Sequence, residues 1–202
     1  IKTAFFVVDL DQAQNAFLMC NNLNSSGNDN TFVFHRGSNG SYQLANGYVN
    51  GCTYWNDGRI VSNPTSTVIP TGYQLITWIR PDAGKVNCLT QDRTTARVGG
   101  KRLCELIVFE EQLSDVQRSC VEGYLKAKWY GAPSQEAAFI EMFGKKANVH
   151  FDASVASSFH YEVAGDDTGT LVSRWDDLSG NNNHFTPFHP SGAAEVFGTR
   201  GV

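Results

Sequence analysis

The stretch Lys101 to Gly131, KRLCELIVFEEQLSDVQRSCVEGYLKAKWYG, sets the terms for the rest of the chain. It reads as a strand, Leu103 to Phe109, then a turn and one amphipathic helix. Ser114 stands at the N-cap position, and Gln117 three residues later completes a capping box that contributes about 1 kcal/mol. Val116, Cys120, Val121, Tyr124, Leu125 and Lys128 recur at helical spacing, so one stripe packs inward. Gly131 is placed to end the helix in a left-handed conformation, and Pro133 stops its return.

Everything before that stretch reads as β. Thr3 to Asp9, TAFFVVD, is a nearly continuous apolar run, the pattern of a central strand covered on both faces. Ala16 to Cys20, Thr31 to Arg36, Ser41 to Val49, Gly58 to Ser62 and Tyr73 to Arg80 follow as short strands between Gly-, Asn- and Pro-rich turns. Pro81-Asp82-Ala83-Gly84 predicts a turn after which Lys85 to Gln91 pairs back on Tyr73 to Arg80. Tyr54 to Asp57 reads as loop. After the helix, Gln135 to Phe143 is a second short helix. Ala147 to Asp152 and Leu171 to Trp175 are strands, with weaker candidates at 185–188 and 194–197. Asp176 to His184, DDLSGNNNH, is a loop suited to left-handed and Asx-turn conformations. The spacing predicts an all-β sandwich with one or two peripheral helices.

At 202 residues the chain buries roughly 70% of its unfolded surface without help from metals or disulfides. Its formal net charge is −4 and its basic residues form no run, which argues against nucleic acid as a partner. No apolar run is long enough for a membrane-spanning helix. The chain begins with Ile1 rather than Met and has no signal peptide, which reads as a processed piece of a longer precursor. The cysteines at 20, 52, 88, 104 and 120 form no C-x-x-C pair. They are buried free thiols, or one or two disulfides of a secreted protein with one cysteine left over. Asn24-Ser-Ser and Asn39-Gly-Ser are acceptor sequons for N-glycosylation.

Two blocks give the chain a resemblance. GKRLCELIVFEEQLSDVQRSCVEGYLKAKWYG, Gly100 to Gly131, is similar to the strand, turn and helix that close a concanavalin A-like, or laminin G-like, jelly-roll module. VHFDAS, Val149 to Ser154, and RWDDLSGNNNHFT, Arg174 to Thr186, resemble the module's opening. IKTAFFVV, Ile1 to Val8, looks like its central strand. The order is permuted. Residues 1–131 resemble the latter two-thirds of one module, 147–202 its opening strands, and 132–146 a linker between them. Three arrangements fit: a circular permutant closed in cis, one period of a tandem array cut out of phase, or a strand-exchanged polymer. A sandwich lacking strands exposes unpaired edges, so 147–202 is expected to pack on a 1–131 segment, in cis first.

The resemblance implies an antiparallel jelly-roll sandwich and an extracellular, cell-surface role. The expected function is a non-catalytic structural or adhesion module that associates with copies of itself as a repeat or filament. A glycan-binding, lectin-like module is the alternative. For that, Tyr54 and Trp55 offer a stacking platform with Asp57 beside it, and His35 and Arg36 join across the sheet. A glycoside hydrolase is a third option, but the alternating Glu-x-Asp-x-x-Glu run that places two carboxylates about 5 Å apart is missing. Glu105, Glu110 and Glu111 read as strand and turn charges. No Gly-x-Ser-x-Gly elbow or phosphate-binding glycine loop occurs. His184 and His189 lie five apart in a loop, and no H-x-x-x-H is present. No catalytic residue, metal ligand or required cofactor follows. Calcium stays an option through Asp152, Asp166, Asp167, Asp176, Asp177 and Asn181, oxygen donors that ordinary turns also use.

Overall fold

The computed structural model describes residues 1–10, 19–20, 52–64, 66–67, 72–84, 88–89, 102–131, 147–163 and 170–186. In chain order these form β1 (Thr3–Leu10), β2 (Met19–Cys20), β3 (Thr53–Asn56), β4 (Arg59–Val61), β5 (Gly72–Ile79), β6 (Cys88–Leu89), β7 (Arg102–Phe109), α1 (Asp115–Tyr130), β8 (Val149–Asp152), a 3-10 turn (Ala156–Ser158), β9 (Phe159–Val163) and β10 (Thr170–Trp175). The main sheet has the order β4-β3-β5-β1-β7-β8, and every pairing in it is antiparallel. The protein is thus mostly antiparallel β, with one α-helix among the described residues. The segments 31–36, 41–49, 135–143 and 194–197 lie outside them.

The apolar run of β1 is explained by its place between β5 and β7. Ala4, Phe6 and Val8 enter one core with Tyr54, Ile76, Trp78, Leu106, Val108, Phe151 and Trp175. Phe5 and Val7 enter the other, with Leu75, Ile107, Phe109, Val121 and Leu125. A strand buried on both faces has no use for alternation, so the sequence shows none.

The helix begins and ends on the expected residues. Ser114 accepts from the Gln117 backbone N–H, and the Gln117 side chain accepts from the Ser114 N–H. Gly131 closes it at φ 70°. The buried face keeps most of the expected stripe, with Val121, Tyr124 and Leu125 buried and Cys120 packed against the same core, and departs from it at Val116. Val116 is 71% exposed, whereas Arg118, Val121, Glu122, Tyr124 and Leu125 are buried. Arg118 and Glu122 neutralise one another across one turn, which lets two charged residues be buried beside the apolar stripe.

Two other expectations are corrected. β6 does not pair back on β5 but on β2, with Cys20 opposite Cys88. Both edges of β5 are already taken, by β1 and β3. The turn at Gly84 instead ties to the start of the chain, its N–H donating to the Ile1 carbonyl. Residues 54–56 are strand rather than loop. Asp57-Gly58, with φ 50° and 78°, forms the tight turn of a β3–β4 hairpin. Cys52, Cys104 and Cys120 form no disulfide.

The segment after the helix joins the same sheet. β8 lies on β7 with Glu105 opposite Asp152 and Val108 opposite Val149. Behind it, β9 and β10 form a hairpin, a strand pair the sequence reading only half found. Phe159 stacks on Trp175 with centroids 4.8 Å apart, and Phe151 lies 5.1 Å from the same ring. The outer edge of β8 is covered by the loop after β10. The His150 N–H donates to Asp177 Oδ1 at 2.9 Å, and the His150 carbonyl accepts from the Leu178 N–H at 2.8 Å. An edge strand closed in this way does not offer its backbone to another chain.

Candidate functional site

The densest polar cluster among the described residues lies where α1 crosses β7 and β8. Glu105 reaches it by ordinary alternation, on the same face of β7 as Ile107 and Phe109. The register of β7 against β1 shifts between Val7 and Val8, and this bulge adds Cys104 to the helix side. On β8 ordinary alternation sends Phe151 to the opposite core and His150 and Asp152 toward the helix. On α1, Tyr124 and Lys128 are one turn apart, with Trp129 beside them.

Glu105 has no exposed surface. Its Oε1 accepts from the Tyr124 hydroxyl at 3.2 Å and lies 2.7 Å from His150 Nε2. Its Oε2 accepts from Trp129 Nε1 at 2.6 Å and lies 3.1 Å from Lys128 Nζ. A carboxylate has about four acceptor sites, and all are used. Asp152, directly opposite Glu105 across the sheet, would repel it. Lys128 Nζ contacts Asp152 Oδ2 as well as Glu105, and so neutralises the pair from between. The remaining oxygen, Asp152 Oδ1, accepts from the Ser154 N–H at 2.9 Å and the Ser154 hydroxyl at 2.7 Å. Burial pushes the Tyr124 phenol up, and the Glu105 carboxylate pushes it further.

Glu105, His150 and Asp152 place ligand atoms within 4.8 Å of one another, the reach of a metal site. Lys128 Nζ lies against two of these three groups, Glu105 and Asp152, and supplies a positive charge there. Of the calcium candidates, Asp166 and Asp167 lie outside the described residues. Asp176 is engaged by His160 and Arg174, at 2.7 Å each. Asp177 accepts from the N–H groups of His150, Ser179 and Asn183 and from the Ser179 hydroxyl. Asn181 donates to the Ala147 carbonyl. His189 lies outside the described residues, and His184 Nδ1 accepts from the Asp177 N–H.

A second cluster occupies the opposite end of the helix. Arg118 Nη1 donates to Glu122 Oε2 at 2.6 Å, and Glu122 Oε1 accepts from the Thr77 hydroxyl at 2.7 Å. The Arg118 guanidinium lies over the Trp55 ring, 4.6 Å from its centroid.

That placement corrects the expected stacking platform. Tyr54 is fully buried and faces the core away from the helix, while Trp55 is 9% exposed and covered by Arg118. β-strand alternation separates the two rings to opposite faces. Asp57 is a turn residue whose Oδ1 accepts from the Leu75 N–H and whose carbonyl accepts from Lys126. His35 and Arg36 lie outside the described residues. Glu105, read as a strand charge, is the residue the sequence undervalued. One charge inside an apolar strand needs a buried partner, and His150-x-Asp152, two polar side chains at period two, was the matching signal.

Comparison with protein-family models, with curated proteins and with solved structures returns no match.

Proposed function

We propose that the chain is a non-catalytic structural or adhesion module with a concanavalin A-like jelly-roll sandwich, carried outside the cell in a larger surface protein or filament and associating with copies of itself. The observation that supports this best is the way the sheet is completed. Its last strand, β8, comes from beyond the helix and is received by the edge of β7. The polar side chains at that junction are spent on one another, binding helix, β7 and β8 together. A segment delivered through a linker, onto an edge shaped to receive it, can be exchanged between neighbouring copies of the chain.

The test is light scattering of the purified chain across a wide concentration range, with mixing of heavy-isotope and ordinary copies. Self-association predicts larger species that grow with concentration and contain both isotopes. A monodisperse monomer at every concentration, with no mixed species, removes the self-associating form of the proposal.

A further inference from the structure

The cluster beneath the C-terminal end of α1 contains the parts of an amide-forming site. Lys128 Nζ contacts Asp152 Oδ2. The other oxygen of that carboxyl, Oδ1, is held by two donors, the Ser154 N–H and hydroxyl. A second carboxylate, Glu105, is fully buried and lies 3.1 Å from the same Nζ. The aromatic rings of Tyr124 and Trp129 flank the amine, each with its centroid 5.6 Å from Nζ. We propose that Lys128 and Asp152 condense to an intramolecular isopeptide bond, with Glu105 relaying the protons, so that α1 and β8 become covalently joined.

The step balances within the chain. It starts from the Lys128 ammonium and the Asp152 carboxylate. One proton passes from Nζ, through Glu105, to Asp152 Oδ2, leaving a neutral amine beside a neutral acid. Nζ then attacks Asp152 Cγ, and the negative charge that develops gathers on Oδ1, where the two Ser154 donors already point. Glu105 takes a proton from the attacking nitrogen and returns it to the departing hydroxyl. A C–N bond forms, the Cγ–Oδ2 bond breaks and one water leaves. Glu105 ends ionised, as it began, and no oxidant, cofactor or leaving group from outside is needed.

Contact and orientation supply most of what such a reaction requires, because they convert a bimolecular condensation into a step within one packed structure. Burial works against the ammonium, but the two carboxylates more than offset it and raise its pKa. The resting state is therefore the ion pair, and condensation runs through its minor neutral form. The bond forms as a slow maturation of the folded chain. The other buried pair, Arg118 with Glu122, cannot do the same, because a guanidinium does not give up its proton.

The inference stands apart from the structural-module reading and is tested without reference to assembly. The purified, reduced full chain is incubated folded, and its intact mass is measured. The expected result is a mass lower than the sequence mass by one water. Digestion should give a branched peptide that joins the segments containing Lys128 and Asp152. Full sequence mass with only linear peptides overturns the proposal, as does water loss without the branched peptide, which marks a succinimide. Lys128→Arg should restore the full mass, and retention of the water loss in that variant also overturns it. Glu105→Gln should slow the loss of water at least tenfold. Should that variant fail to fold, the wild-type mass and branched peptide still decide the question.

Discussion

The two charge clusters under α1 look alike and are built differently. Arg118 and Glu122 are one helical turn apart and meet beneath a single element, with Trp55 and Thr77 of neighbouring strands completing the site. Lys128 meets Glu105 and Asp152 from strands that precede and follow the helix, 23 and 24 residues away by position number. The first cluster gives one guanidinium a buried carboxylate partner, Glu122, and an exposed one, Asp115, at 3.5 Å. The second sets one ammonium against two carboxylates, with His150 beside them. The first is planar, stacked and permanently charged. The second contains a nucleophile, an electrophile and a proton carrier in contact. Burial of charge is therefore common to both, but only one of the arrangements can react.

The comparison predicts that the Arg118 cluster behaves as a replaceable structural pair. Glu122→Ala strands the buried guanidinium and is expected to cost about 3–5 kcal/mol, read as the urea midpoint by circular dichroism. Replacing both partners, Arg118→Met with Glu122→Leu, should recover most of that loss, since apolar pairs of similar volume substitute well for buried ion pairs. A double variant no more stable than Glu122→Ala would break the comparison. The Lys128 cluster should not be rescued in this way. Glu105→Gln is expected to cost about 2 kcal/mol by removing a fully satisfied buried acceptor. Paired with Lys128→Met it should show a coupling energy on the order of 1 kcal/mol, whereas Glu105→Gln and Glu122→Ala should add. Additivity of the first pair would show that Lys128 does not act on Glu105. Arg118→Lys is a smaller change, expected to cost about 1 kcal/mol because the planar contact with Trp55 is lost while the charge is kept. An unchanged unfolding midpoint would mean that the guanidinium plane contributes nothing.

The two clusters also differ in how far the sequence announced them. Helix ends were legible because capping chemistry is local: Ser114, Gln117 and Gly131 act on the backbone within a turn of themselves. The central place of β1 was legible from its unbroken apolar run. Arg118 was not, because the apolar residues alone gave the stripe, which holds at Val121, Tyr124 and Leu125, while the burial of Arg118 with Glu122 beside it depends on their pairing. Glu105 was hidden further. Its meaning depends on a strand whose His150 is 45 residues away and on the Lys128 and Trp129 side chains of the helix. Tyr54 and Trp55 read as loop from sequence, though Asp57-Gly58 between two short strands is itself a hairpin signal. Local chemistry reads well from sequence, and long-range register does not.

A fourth buried carboxylate sharpens the contrast, because among the described residues no lysine or arginine pairs with it. Asp177 is met by the N–H groups of His150, Ser179 and Asn183 and by the Ser179 hydroxyl. Burial opposes its ionisation, but these donors outweigh burial and keep its pKa below the ordinary aspartate value of 3.8. The folded chain therefore releases this proton more readily than the unfolded one. The stabilisation that follows is complete at pH above 3.8 and is lost as pH falls below it, through the lower folded value. The edge of β8 should loosen over that range, seen as faster hydrogen exchange at the His150 and Leu178 amides once the intrinsic pH dependence of exchange is removed. Asp177→Asn should abolish the acid-dependent part of the effect while leaving the Arg118 cluster untouched. If the variant loosens with acid as the parent does, the closure of this edge rests on the aromatic contacts of Phe151, Phe159 and Trp175, and the carboxylate is incidental to it.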